Sequence, residues 1–378
     1  MAFLGFLGPA RMFARSTFFD LWRKALATDD GKRLLADSLA GLTRPGIVPP
    51  SAVRADAIYP ELPAPGMSLT NHQPPIFITA RFRSGSTLLW NIFRHVQGCT
   101  SFYEPLNERR WFDPATRGTR VDSTHLGVDD YWREYEGLEA LGRWYREEWT
   151  SRRLFMDHHD WDAGLAEYIG ALIAAAPQRA ALQFNRVDFR LSWLRRHFPQ
   201  ATIVHLYRHP RDQWCSTLVD PARVPPTATV EEFAAHDGYY LLSWARDLSY
   251  YFPFLDPRLA SHPYELFYYL WRLSFMFGTR WAHASVSFEK LCASPSTEIP
   301  ALMEAVGITR YSLPSLASLI ERPDPNKTWT RYAAHDWFAA HERRCEDVLA
   351  RWGTTSRLPD SLETTRLTLT EEATARAL

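Results

Sequence analysis

The chain has 378 residues, 46% of them apolar and 23% charged, which excludes disorder over most of its length and allows about two domains of roughly 150 residues each. Lys plus Arg and Asp plus Glu number 43 each, which argues against bulk nucleic-acid binding, where a basic excess is the rule, and leaves a local anion site open. The rings are abundant, with 15 Trp, 16 Tyr and 22 Phe, enough for a large core or for a ring-lined cleft.

Residues 1–45 read as helical, with Phe18, Phe19, Leu21, Trp22 and Leu26 at helix-like spacing. Residues 46–75 carry many prolines, among them Pro49, Pro50, Pro74 and Pro75, and read as an extended connector. Ile76 to Thr79 is a short apolar run that suits a buried strand, and Thr87 to Val96 reads as a helix. A second strand is expected just before Glu104. Further strands are predicted at Ala180–Phe184, Thr202–Tyr207 and Ser285–Phe288. Helices are predicted over Asp188–Phe198, from Pro210 onward, and near 229–247, 262–277 and 334–352. Apolar strands alternating with helices predict an α/β fold: a three-layer sandwich whose central sheet is mostly parallel and flanked by helices, with an N-terminal helical extension. The expected organisation is an extension and connector over 1–70, one domain over 71–353 and a peripheral tail over 354–378.

Cys99, Cys215, Cys292 and Cys345 form no C-x-x-C pair, and no His cluster has zinc spacing, so a reducing compartment is expected. Met1 to Pro9 lacks a basic start, and its apolar run ends after about eight residues, short for a signal segment. No run reaches the roughly 18 apolar residues that span a bilayer. A soluble cytoplasmic protein is the expectation.

Two strand-to-helix corners carry the chemistry. In the first, Arg83-Ser84-Gly85-Ser86-Thr87-Leu88 follows a strand and opens a helix. A helix N-terminus offers unpaired N–H groups and a positive dipole end to an anion. Gly85 lets the backbone approach closely, Ser86 and Thr87 add hydroxyls, and Arg83 can fork two oxygens. A Walker loop would need Gly and Lys where Ala80 and Ser86 stand, which disfavours an ATP-cleaving P-loop enzyme. In the second corner Arg208 ends a strand and Ser216 lies about two helical turns further on, so the two can grip one phosphate. Arg211 reads instead as a member of a surface charge cluster with Asp212.

The pair F-R-S-G-S-T-L-L and L-Y-R-H-P-R-D-Q-W-C-S resembles the two cofactor motifs of the sulfotransferase superfamily, over roughly residues 75–353. The resemblance implies a P-loop-like fold and 3′-phosphoadenosine 5′-phosphosulfate (PAPS) as donor. Adenosine 3′,5′-bisphosphate would be the product, and no metal is required. It implies that the first loop, Arg83 to Leu88, holds the 5′-phosphosulfate and that Arg208 and Ser216 hold the 3′-phosphate. Arg83 in place of Lys is closer to the tyrosylprotein and carbohydrate branches than to the cytosolic phenol and steroid branch. Ser287 to Leu291 resembles a structural passage of the family, which makes Glu289 a structural partner. Asn326-Lys327-Thr328-Trp329 resembles the late loop that closes over the cofactor, implying contacts from Lys327 and Trp329. Tyr264, seven residues before Trp271, resembles a nucleoside-contacting Tyr, with helix packing as the alternative.

Sulfuryl transfer needs a base for the acceptor hydroxyl and a cation for the departing phosphate. Arg83 supplies the cation. Glu104, 21 residues after Arg83, is the candidate base, at a distance similar to that of the basic Glu in the tyrosylprotein branch. Glu108, His95 and His125 are its rivals. Asn185 and Arg186, after a strand that ends near the cleft, can contact acceptor or sulfate, or pair with Asp188. Asp157-His158-His159-Asp160 reads as a loop and not a metal site. Tyr239, Tyr240, Trp244 and the rings from Tyr250 to Phe254 can roof an acceptor pocket or fill the core. A carbohydrate, lipid-linked or other small-molecule acceptor is expected, with no nucleic-acid partner, and a homodimer is left open. A P-loop kinase and a catalytically inactive nucleotide-binding scaffold are the competing functions.

Overall fold

The computed structural model describes residues 73–122, 125, 127–320 and 329–355. The expected N-terminal helix, most of the connector, Lys327 and the tail beyond 355 lie outside the described residues.

Five strands form one sheet: β1 Ile76–Ala80, β2 Cys99–Tyr103, β3 Arg179–Phe184, β4 Thr202–Tyr207 and β5 Ala284–Ser287. Their order is β2-β3-β1-β4-β5, and every pairing is parallel. Side chains alternate between the two faces of the sheet. Ile76, Ile78 and Ala80 of β1 join Val204, Leu206 and Val286 in a smaller core, whereas Phe77 joins Leu182 and Ile203 in a larger one on the opposite face. This is the expected three-layer arrangement, and it explains why β1 and β3 are buried from end to end.

The helices are α1 Ser86–Arg94, α2 Ala163–Ala175, α3 Leu191–His197, α4 Pro210–Thr217, α5 Val230–Phe233, α6 Leu241–Leu248, α7 Pro263–Trp281, α8 Phe288–Ala293, α9 Pro295–Ala305, α10 Leu313–Ala317, α11 Trp329–Tyr332 and α12 His335–Thr355. None of those described is long and apolar enough to cross a membrane. Strand order reverses on either side of β1, so the connections leave in opposite directions and open a crevice at the carboxyl ends of β1, β3 and β4.

The single helix expected near 229–247 is broken. Asp237 accepts the N–H groups of Leu241 and Leu242 at 2.9 and 2.8 Å, which caps α6 and stops α5 from continuing. Tyr240 takes φ 62° at the junction.

Among its described residues, the long segment between β2 and α2 holds only short 3-10 turns, so its backbone groups need other partners. Buried side chains supply them. Arg190, fully buried, donates to the carbonyls of Trp149, Arg152 and Arg153 at 3.0, 2.9 and 3.1 Å. Tyr135, Tyr168 and Tyr145 donate their hydroxyls to the carbonyls of Tyr103, Pro105 and Asn107 at 2.9, 2.6 and 3.0 Å.

Candidate active site

β1 ends at Ala80, and the turn into α1 is set by two left-handed residues, Arg83 at φ 62° and Gly85 at φ 93°. Gly85 is the N-cap and brings no capping side chain, so the first N–H groups of α1 face the crevice without a side-chain acceptor. A Cβ on Gly85 would fall 2.2 Å from Phe288 Cδ2, so the glycine is required by space as well as by backbone conformation. Ser84 faces inward, its hydroxyl donating to the Arg81 carbonyl at 2.7 Å, and it is the one residue of the expected loop from Arg83 to Leu88 that does not line the cavity.

The second corner meets the first. Arg83 Nε donates to the Ser216 carbonyl at 3.0 Å and to its Oγ at 3.1 Å. Arg208 donates to the Arg83 carbonyl at 3.1 Å. Gln213 of α4 donates to the Phe82 carbonyl at 2.8 Å. Trp271 donates its indole N–H to the Arg208 carbonyl at 2.9 Å, and the Arg208 guanidinium lies over the Phe288 ring at 4.9 Å. Burial holds the Arg208 guanidinium below its usual pKa, against the pull of Asp212 and Glu289, so its charge is under-compensated and suits an incoming anion.

Both corners line a cavity of about 470 Å³ that also reaches Glu104, Tyr103, Asn185, His125 and Asn91. Glu104 is 5% exposed and has φ 38°, so it shares with Arg83 a left-handed backbone that costs a non-glycine residue about 1–2 kcal/mol. Such strain collects where a side chain must be aimed. Its carboxylate is held by three donors. Asn185 Nδ2 bonds Oε1, while Asn107 Nδ2 at 2.6 Å and Arg186 at 3.1 Å bond Oε2. Arg186 also reaches Glu108 at 2.5 Å. Burial pulls the Arg186 pKa down, and the two carboxylates more than offset it. Gln183 Nε2 donates to Asn185 Oδ1 at 2.8 Å and sets that amide's orientation.

Among the rivals, Glu108 is an exposed partner of Arg186, and His95 is exposed at the end of α1, bonded to the Asn91 carbonyl at 2.9 Å. His125 does line the cavity, 2.5 Å from the Tyr131 hydroxyl, and burial lowers its pKa, Asp122 opposing and Arg83 adding to the shift.

Several expected positions fall elsewhere. Tyr264 does not line the cavity: its ring is buried against Trp214 and Phe338, and its hydroxyl donates to Glu342 at 2.7 Å, which is the packing alternative. Trp329 is buried over the Arg211 guanidinium at 4.9 Å and against Phe338, also away from the cavity. Arg211 forms a bidentate pair with Glu342 of α12, at 2.7 and 2.6 Å, and is not part of a surface cluster with Asp212. Arg186 pairs with the two glutamates and not with Asp188, whose carboxylate accepts from Thr79 at 2.6 Å and Ser274 at 2.9 Å. Glu289 is structural, accepting the His209 N–H at 2.7 Å. Asp157 to Asp160 is a turn closed by its own carboxylates. The ring cluster divides: Tyr239 lines the cavity beside Phe82 at 5.6 Å, while Phe252 and Phe254 pack against Trp352 in the core. Asn91, Asn107 and Phe288 are additions that sequence reasoning did not select, although Asn91 stands one helical turn after Thr87 and so shares its face.

Among curated proteins, no sequence matches the chain. The chain is similar to several solved structures. The sulfotransferase domain of the Synechococcus PCC 7002 olefin synthase is 18% identical, with 80% of this chain and 96% of that chain covered and a TM-score of 0.33. The sulfotransferase STF9 of Mycobacterium avium is 11% identical over 76% of this chain and 78% of that chain, with a TM-score of 0.38. Mouse sulfotransferase SULT7A1, solved in complex with PAP, is 12% identical over 81% of this chain and 90% of that chain, with a TM-score of 0.34. Residues 74–312, more than half of the chain and including both corners and Glu104, match the sulfotransferase family, and the chain belongs to that family.

Proposed function

We propose that the chain transfers a sulfuryl group from PAPS to an acceptor hydroxyl, with Glu104 as base and Arg83 at the leaving phosphate. One observation carries the reading: Arg83, Ser216 and Arg208 form a single connected group around the Gly85 turn, and Glu104 opens into the same cavity. The residues fit the donor. Two cationic side chains and the uncapped start of α1 suit a nucleotide with two anionic ends.

When bound, PAPS supplies the sulfuryl group and a phosphate that departs with the electron pair of the broken S–O bond. The N–H groups of α1 and the hydroxyls of Ser86 and Thr87 orient the 5′ end, while Arg208 and Ser216 take the 3′-phosphate. Arg83 stabilises the charge that grows on the bridging oxygen. Glu104 receives the acceptor's hydroxyl proton as the new O–S bond forms. Oε1 has one donor and Oε2 has two, so Oε1 keeps the lone pair that accepts the proton. Phe82, Tyr103 and Tyr239 line the Glu104 side of the cavity, a ring surface suited to the hydroxyl-bearing ring of a carbohydrate, glycolipid or other small acceptor.

Calorimetric titration with adenosine 3′,5′-bisphosphate and with ATP tests the reading. Tight binding of the bisphosphate and weak binding of ATP is the expected result. The reverse order would favour a kinase. Tight bisphosphate binding with no transfer from labelled PAPS to any of a panel of acceptors would favour a scaffold.

A further inference from the structure

The sheet keeps the two halves of the proposed site apart. The turn that opens α1 follows β1, and Glu104 follows β2, with β3 between the two strands. Two strand spacings put the ends of β1 and β2 about 10 Å from each other, and the two strands share no ladder.

Side chains make the connection. Trp90 of α1 donates its indole N–H to the Ser101 carbonyl of β2 at 2.8 Å. Tyr103, the last residue of β2, places its hydroxyl 3.0 Å from Oγ1 of Thr87, in the first turn of α1. Tyr103 and Thr87 are both buried, and both line the cavity. The Tyr103 ring is fixed by Tyr131, stacked on it at 4.6 Å, and by Trp90 and Trp111 at 4.8 and 5.8 Å.

Which hydroxyl donates follows from what the cavity has to hold. A Thr hydroxyl has one proton and two lone pairs. If Thr87 donated to Tyr103, it would turn only lone pairs toward an anion in the cavity. If Tyr103 donates, the Thr87 proton is left for the anion. A phenol is also the stronger donor of the two. Burial lifts the Tyr103 pKa well above the usual phenol range, Glu104 adding to the shift and Thr87 opposing it, which keeps the proton to be donated.

We infer that Tyr103 is a positioning residue: its hydroxyl donates to Thr87 Oγ1, turns the Thr87 proton onto the 5′ anionic end of the nucleotide, and ties the strand end that aims Glu104 to the turn that holds the donor. The inference rests on the nucleotide reading given above.

Calorimetric titration of the full chain with adenosine 3′,5′-bisphosphate and with adenosine 3′-monophosphate tests this. The proteins are the wild type, Tyr103→Phe, Thr87→Val and the double variant. The two ligands differ only in the 5′-phosphate, the group that Thr87 would touch. Tyr103→Phe should weaken bisphosphate binding about 2- to 12-fold, the range of one hydrogen bond, and leave monophosphate binding unchanged. In the Thr87→Val background the same change should weaken nothing further, because its intermediary is gone. Phe keeps the ring contacts, and the monophosphate titration reports on folding in each variant. Equal weakening of both ligands by Tyr103→Phe would mean that Tyr103 only packs the site, and it overturns the inference. Unchanged bisphosphate affinity in Tyr103→Phe overturns it too, as does a weakening that persists in the Thr87→Val background. All three leave the nucleotide reading intact. If the wild type binds neither ligand, or both equally, the nucleotide reading falls and the inference falls with it.

Discussion

Glu104→Gln separates proton acceptance from position. Gln keeps the shape of the side chain and one oxygen, which can still accept from Asn107 and Arg186 at the Oε2 position. Its new amide would face Asn185 Nδ2 donor to donor, but a relief exists. Gln183 Oε1 is buried without a partner, and Gln183 Nε2 bonds Asn185 Oδ1. If Gln183 and Asn185 both turn their amides over, Gln183 Oε1 accepts from Asn185, and Asn185 Oδ1 accepts from the new amide. The remaining cost is electrostatic: Arg186 loses one of two carboxylates and keeps Glu108 at 2.5 Å. Removing one partner of a fully buried pair costs about 3–5 kcal/mol; with the second carboxylate kept, about 1–3 kcal/mol is expected. Turnover should fall far more, by about 10²- to 10⁴-fold, because the amide cannot take the proton. Transfer from labelled PAPS gives the rate, adenosine 3′,5′-bisphosphate titration gives binding, and urea unfolding gives stability. Turnover within tenfold of wild type, with folding and binding kept, would refute Glu104 as the base.

Three further outcomes are expected. Arg83→Ala should lower turnover by about 10²- to 10³-fold, as loss of one transition-state donor does, whereas Arg208→Met should act mainly on bisphosphate affinity; equal effects of the two on turnover and affinity would contradict their separate roles. His205 is fully buried, and burial pulls its pKa down to about 3. The unfolded chain protonates this group near 6.5 while the native state does not, so below pH 6.5 the unfolded state binds the extra proton and stability falls as pH falls. Between pH 6.5 and about 3 the His205 share of that loss is about 1.4 kcal/mol per pH unit. Urea midpoints of wild type and His205→Asn across this window should therefore converge as pH falls, and a pH-independent gap would show that His205 does not titrate in this way. Tyr168→Phe leaves the Pro105 carbonyl without its 2.6 Å donor and should cost about 1–3 kcal/mol in stability, with turnover lowered at unchanged bisphosphate affinity; an unaltered turnover would limit Tyr168 to packing.

The two strand-to-helix corners were legible because they are local. A strand, a glycine and a helix N-terminus are adjacent in sequence, and the helical pitch links Arg208 to Ser216. What holds Glu104 was not legible in the same way. Asn185 and Arg186 lie about 80 residues from it, and only the pairing of β3 with β2, Tyr103 beside Gln183, brings them together. Tyr264 shows the opposite failure. Its spacing to Trp271 matched a nucleoside contact, but the face of α7 that carries its hydroxyl is occupied by Glu342 of α12, 78 residues later. The break before α6 is written locally, in Asp237-Gly238, where the Asp237 carboxylate caps the next helix.

The aromatic excess has one use that composition alone does not suggest. The carbonyls of residues 103, 105 and 107, on either side of Glu104, each accept a hydroxyl from a different tyrosine. Tyr135 and Tyr168 are wholly buried, and burial lifts their pKa values well above the usual phenol range, which keeps their hydroxyls as donors. A left-handed Glu104 in a segment without regular structure would relax if its neighbouring carbonyls had no partners. Tyr145, with its hydroxyl on the Asn107 carbonyl, fixes the residue whose amide holds Oε2. The rings therefore act at two levels. Their faces fill the larger core, and three of their hydroxyls hold in place the backbone from which Glu104 is aimed.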